Sequence, residues 1–202
     1  FVSCFGYIAF ARMVSGMGTT IFAAHSIAIT AEQIVYIPGY GLRVATSTLV
    51  GNALGEKDIR KLKATERVSI LITLLIMVVN GIGLYLFAYP FMRLFTNSVN
   101  AARIGSEMLR LVSFSEPFFG LMIVLEGISY GMGRTKHVFA CEAVSMWGIR
   151  IFGTFLCVNV FGLGLKAVWL CMIADNICKA ILLYIFRPKH VEENADDRGE
   201  LR

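Results

Sequence analysis

The chain has 202 residues, 56% of them apolar and 16% charged, with a net charge of +5 and a mean hydropathy of +0.68. Soluble domains carry about 25% charged residues, so this composition excludes an ordinary water-soluble globule and points to the bilayer as solvent. The positive balance does not signal nucleic acid, because Lys57, Arg60, Lys61, Lys63 and Arg67 cluster between apolar runs without interleaved aromatics, the pattern of a basic membrane-flanking loop.

Six apolar segments punctuated by Gly, Pro and charge are expected to form transmembrane helices, at 1–14, 20–50, 68–89, 104–131, 138–161 and 165–186. The first is short and starts on Phe1 without Met or a basic leader, so a truncated N-terminus is expected. The second is too long for a straight span. It carries Pro38, Gly39 and Gly41, where lost backbone bonding predicts a bent or broken helix, a feature that in carriers often marks the substrate path. The third, Val68–Tyr89, runs 22 residues without a charged side chain, enough to cross a hydrocarbon layer of about 30 Å.

Basic residues set the expected orientation. The 51–67 loop, Arg134 and Lys136 in 133–137, and Arg187 and Lys189 after the last span should face the cytoplasm, with Arg93, Arg103 and Lys166 the exceptions on the other side. The polar, acidic segment 188–202 is expected to be a disordered cytoplasmic tail, leaving 1–187 as one transmembrane helical lobe. Cys4, Cys141, Cys157, Cys171 and Cys178 sit in apolar runs without C-x-x-C spacing and read as packing residues. His25, His137 and His190 are scattered, so no metal site is expected. No G-x-x-x-x-G-K-[ST], H-E-x-x-H or G-x-S-x-G occurs, and no enzymatic activity or cofactor is expected.

Ionisable groups inside spans cost roughly 2.5 to 3.5 kcal/mol each on insertion scales and usually face protein or a wet cavity. Glu32 lies mid-span, His25 seven residues earlier is offset by about 20° on a 3.6-residue helix, and Tyr36 follows at i+4, so the three share a face. They line a cavity or form a hydrogen-bonded packing cluster. Glu116 precedes Pro117, whose missing N–H frees a carbonyl one turn earlier, so carboxylate and carbonyl can together ligate a proton or cation. Glu126 is turned about 80° from Glu116. Glu116 is therefore assigned to the cavity, Glu126 to an interhelical bond. Glu142 with Arg150, and Asp175 with Lys179 at i+4, offer opposite-sign partners, and a structural role leads for both. A buried carboxylate without a cation partner can take up and release protons, which a proton-coupled carrier requires. Phe118, Phe119 and Met122 offer apolar contact to a ligand or ordinary packing.

The segments AAHSIAI (23–29) and IPGYGLRVATSTLVGNALGEKD (37–58) resemble the seventh-to-eighth helix region of the multidrug and toxic compound extrusion (MATE) family. SEPFFGLMIVLEGISYGMGRTK (115–136) is similar to its tenth helix and following loop, and MWGIRIFGTFL (146–156) with GLGLKAVWLCMIADNICKA (162–180) to its last two helices. The resemblance implies an all-α antiporter of twelve helices in two six-helix lobes, in the plasma membrane, exchanging protons or sodium for small organic, often cationic, drugs or metabolites. This chain would be the second lobe, partnered by a missing N-terminal lobe and by membrane lipid. Arg134 stands where many relatives have Asp, and Ser3 near where some branches carry a first-helix carboxylate. The rival readings are a lipid-linked oligosaccharide flippase, disfavoured because the candidate cavity leans acidic, a non-transporting membrane scaffold, and a membrane-embedded enzyme, for which no nucleophile or ligand set is assembled.

Overall fold

The computed structural model describes residues 2–186, with side chains from Phe5 onward; the side chains of Ser3 and Cys4, the basic Arg187 and Lys189, and the tail 188–202 lie outside the described residues. Among those residues every regular element is helical. In chain order they are α1 (Val2–Ser15), α2 (Thr19–Gly55), α3 (Ile59–Phe95), α4 (Val99–Ser113), α5 (Glu116–Gly131), α6 (Thr135–Ser145), a π-helical stretch Met146–Ile151, α7 (Phe152–Phe155), a second π-helical stretch Leu156–Val160, and α8 (Leu165–Ile185). Four runs, α2, α3, Thr135–Val160 and α8, are each long and apolar enough to cross a membrane, and α4 and α5, bent by 61° at the break between them, are so only when taken together. The 14 residues of α1 are fewer than the roughly 20 that a full crossing needs.

The 51–67 segment is not the loop the sequence suggested. Lys57 closes α2 with a positive φ of 57°, and Asp58 then caps α3 by accepting a hydrogen bond from the Lys61 N–H at 2.9 Å. A capped start lets α3 begin nine residues before its apolar stretch. Arg60, Lys61, Lys63 and Arg67 therefore ride on the first turns of that helix. From Ser69 on it is inside-out relative to a soluble helix: Ser69, Thr73, Met77, Gly81 and Ala88 face protein, whereas Leu71, Leu75, Val79, Ile82 and Leu86 are exposed. Small and polar inner residues let membrane helices approach closely. At Gly81 a side chain is sterically excluded, because a Cβ would lie 2.8 Å from the Ser113 carbonyl oxygen and 3.1 Å from Glu116 Cβ.

Two expectations about helix breaks change. α2 runs without interruption through Pro38, Gly39 and Gly41. Proline removes one intrahelical bond, and Met77, Ile123 and Phe119 crowd Gly39 on its inner side, so packing holds the helix together where propensity alone would break it. The break lies instead at Phe114–Ser115. Pro117 occupies the first turn of α5, where its missing N–H costs no helical bond.

Two apolar clusters form the core. One gathers Val14, Ala28, Met92, Leu109 and Trp169, the other Val50, Met77, Ile123, Leu125 and Leu183. Along α2, α8 and the α4–α5 pair, the positions separating the clusters are Glu32, Asp175 with Lys179, and Glu116. A polar layer thus crosses the lobe at mid-depth.

Candidate functional site

In that layer a cavity of about 290 Å³ opens between α1, α2, α5, α8 and the Met146–Ile151 stretch. Glu32 and Tyr36 form its α2 wall. One helical turn apart, they are joined by a 2.5 Å hydrogen bond from the Tyr36 hydroxyl to Glu32 Oε1. The Tyr36 ring stacks on Phe119 of α5 with centroids 3.7 Å apart, fixing the phenol and hence the carboxylate it holds. Phe119 and Met122 line the cavity, while Phe118 turns out and is 45% exposed.

His25 shares the buried face of Glu32 and Tyr36 but does not line this cavity, contrary to expectation. Seven residues preserve the face but move about 10 Å along the axis. Its Nδ1 accepts a 3.2 Å hydrogen bond from Trp169 Nε1, and its ring packs on Phe10 inside the first apolar cluster. Glu116 is also absent from the cavity lining. The bend before α5 turns it toward α3, where it is fully buried against Gly81, and among the described residues neither carboxylate oxygen has a hydrogen-bond partner. Glu32 lies near enough for the two carboxylates to interact electrostatically.

The three cations of the lining each meet an acid. Glu126 Oε2 accepts from Arg43 Nη1 at 2.9 Å, joining α5 to α2, and the Arg43 guanidinium lies 5.1 Å from the Tyr40 ring. The close approach of these helices depends on Gly127, where a Cβ would lie 2.7 Å from the Arg43 carbonyl oxygen. Arg150 does not pair with Glu142, which is eight residues away and so about 12 Å along the axis. It meets Asp175 instead, Nε to Oδ2 at 3.0 Å, and Lys179 Nζ meets the same oxygen at 3.1 Å. Asp175 Oδ1 accepts from the Ser145 hydroxyl at 2.6 Å.

The sequence reading passed over Arg43, although a lone arginine inside an apolar run is the same signal that exposed Glu32. The lining also corrects the acidic lean expected of the cavity: Glu32, Glu126 and Glu142 are matched by Arg43, Arg150 and Lys179. Among the described residues no three His, Cys, Asp or Glu side chains are grouped to hold a metal ion.

The chain is 30% identical over 188 residues to a probable multidrug resistance protein NorM of Thermotoga maritima, covering 92% of this chain and 40% of that protein. A probable NorM of Photorhabdus laumondii is 28% identical over 84% of this chain and 38% of its own length. The chain thus spans about two fifths of these relatives. Among solved structures, a eukaryotic MATE transporter superposes with a TM-score of 0.84 at 21% identity, covering 98% of this chain and 46% of that one. A MOP superfamily transporter from Pyrococcus furiosus gives 0.84 at 19% identity, over 95% and 43%. These likenesses establish the fold as one lobe of a larger transporter. With the profile of the MatE family matching residues 1–156 as well, the chain belongs to the MatE family of multi-pass membrane transporters.

Proposed function

We propose that this lobe forms one wall of a secondary antiporter that exports small organic, often cationic, drugs or metabolites in exchange for protons or sodium. The observation that carries the reading is the Glu32 and Glu116 pair: two buried carboxylates with no cation at ion-pair distance among the described residues, Glu116 with both oxygens unpartnered there. A buried carboxylate tolerates charge only when a cation or proton joins it. Glu32 faces the cavity and is the group a cationic substrate meets. Glu116, behind it, is the coupling group. Membership of a family whose relatives are named for multidrug resistance supports the assignment of cargo class.

The test is exchange in proteoliposomes containing the complete transporter, with an imposed proton or sodium gradient and a fluorescent organic cation. Glu32→Gln and Glu116→Gln are each expected to abolish gradient-driven efflux without loss of folded protein. Wild-type efflux in both variants would make these residues structural. The basic first turns of α3 are proposed to face the cytoplasm, so a cysteine replacing Lys61 in a cysteine-free background should resist an impermeant thiol reagent in intact cells. The flippase alternative retains one supporting observation, the three cations of the lining, and would be favoured if a lipid-linked pyrophosphate bound more tightly than any organic cation.

A further inference from the structure

Two thiols that sequence spacing leaves unrelated meet in the structure. Cys157 and Cys171, 14 residues apart, face each other from the Thr135–Val160 span and from α8, with their Sγ atoms 3.8 Å apart. That is the separation of two thiols in contact, one able to share its proton with the other. The backbone builds the contact. Gly153, one turn before Cys157, leaves room for α8, since a Cβ there would lie 3.3 Å from Cys171 Sγ. Cys157 belongs to the second π-helical stretch, and its carbonyl accepts from the Leu163 N–H at 2.7 Å across a turn in which Gly162 has a φ of 61°. Among the described residues this is the one pair of thiols in contact; Cys141 instead lies 3.8 Å from His137 Nε2.

Both cysteines are partly buried near one end of the lobe, Cys157 three residues from the end of its span and Cys171 six residues into α8. Charged oxidants are kept from such a site by the cost of desolvation, whereas a neutral hydroperoxide enters the hydrocarbon layer. On the proposed orientation this end faces away from the cytoplasm, toward the side on which disulfides form and persist. We infer that Cys157 and Cys171 are a modification site, which a hydroperoxide oxidises to a disulfide tying the C-terminal half of the Thr135–Val160 span to α8. One sulfur takes the terminal oxygen of the peroxide, the O–O bond breaks, and the thiol proton leaves with the alcohol. The sulfenic acid so formed condenses with the second thiol: an S–S bond replaces the S–O bond and water departs. The two thiols supply both electrons, and no other reductant is required. Because the second sulfur is already in contact, the sulfenic acid is consumed before another peroxide reaches it. The Arg150–Asp175 ion pair joins the same two spans deeper in the membrane, so the disulfide is a second tie that stops one span turning on the other. The site uses none of the cavity's lining and stands whether or not the chain exports organic cations.

The complete transporter in lipid nanodiscs is treated with tert-butyl hydroperoxide, quenched with N-ethylmaleimide and digested for mass spectrometry. Trypsin cuts after Lys166 and separates the two cysteines, and fragmentation tells Cys171 from Cys178. The expected product is a peptide pair joined through Cys157 and Cys171 and released by dithiothreitol, with Cys141 and Cys178 alkylated. Dimedone, which traps sulfenic acids, should label neither sulfur of the wild-type pair and should label the remaining one in at least one of Cys157→Ser and Cys171→Ser. The oxidised protein should melt at a higher temperature than the reduced one, a shift that both serine variants lack. Two alkylated thiols after treatment, or a disulfide to any other cysteine, would overturn the proposal, as would a cross-linked protein that melts no higher than the reduced one. Should a serine variant fail to fold, the wild-type peptide map and melting shift still decide.

Discussion

Two acidic centres share the polar layer of this lobe and are built on opposite principles. Asp175 is surrounded by Arg150, Lys179 and the Ser145 hydroxyl, so its charge is more than compensated. Glu116 is equally buried and, among the described residues, has no cation at ion-pair distance and no hydrogen bond to its carboxylate. The first arrangement ties α8 to the π-helical stretch, and removing its acid would strand two cations. The second is a standing cost to folding unless a proton or ion neutralises it. A carboxylate that earns no stability in the resting lobe is the one to examine for a working role.

The largest effect expected from breaking this contrast is at the compensated centre. Asp175→Ala leaves Arg150 and Lys179 facing each other in the membrane interior and should cost about 3–5 kcal/mol. Thermal unfolding followed by fluorescence-detected size exclusion should show the loss, or the protein should fail to accumulate. Glu116→Gln should behave in the opposite way in the same assay, with unchanged or higher thermal stability while gradient-driven efflux disappears. Equal destabilisation by the two substitutions would show that Glu116 has an unseen partner and would dissolve the contrast.

Gly81→Ala probes the packing that encloses Glu116. Its new Cβ meets the Ser113 carbonyl and Glu116 itself, and overpacking of this kind costs about 1–3 kcal/mol. The expected readout is a lower melting temperature together with weaker efflux, whereas an unaffected protein would mean that α3 and α5 can move apart. Tyr36→Phe sharpens the comparison at the cavity edge. Losing one hydrogen bond to Glu32 should cost about 0.5–1.5 kcal/mol and leave the Phe119 stack in place. Its transport should therefore suffer more than its stability. Arg43→Met tests the paired acid of the cavity rim. Its ion pair with Glu126 is open only at the Arg43 end, that side chain being 31% exposed and Glu126 10%, so the melting temperature should fall because a carboxylate is left without its cation, but by less than for Asp175→Ala, where both stranded cations are buried.

Much of this was legible before any coordinates. Composition identified the solvent, apolar run lengths located the helical segments, and the rarity of charge inside them singled out Glu32, Glu116, Glu126, Arg150 and Asp175, because the bilayer makes each such residue costly wherever it sits. Periodicity also placed Tyr36 beside Glu32, since i and i+4 meet on any helix. What tertiary structure alone decided was the far partner. Arg150 chose Asp175 over Glu142, His25 joined Trp169 in an apolar cluster, Glu116 turned away from the cavity, and α2 continued unbroken past Pro38. Each depends on how helices distant in sequence lie against one another. A helical repeat gives a side chain's direction around its own axis, and only packing determines what stands opposite.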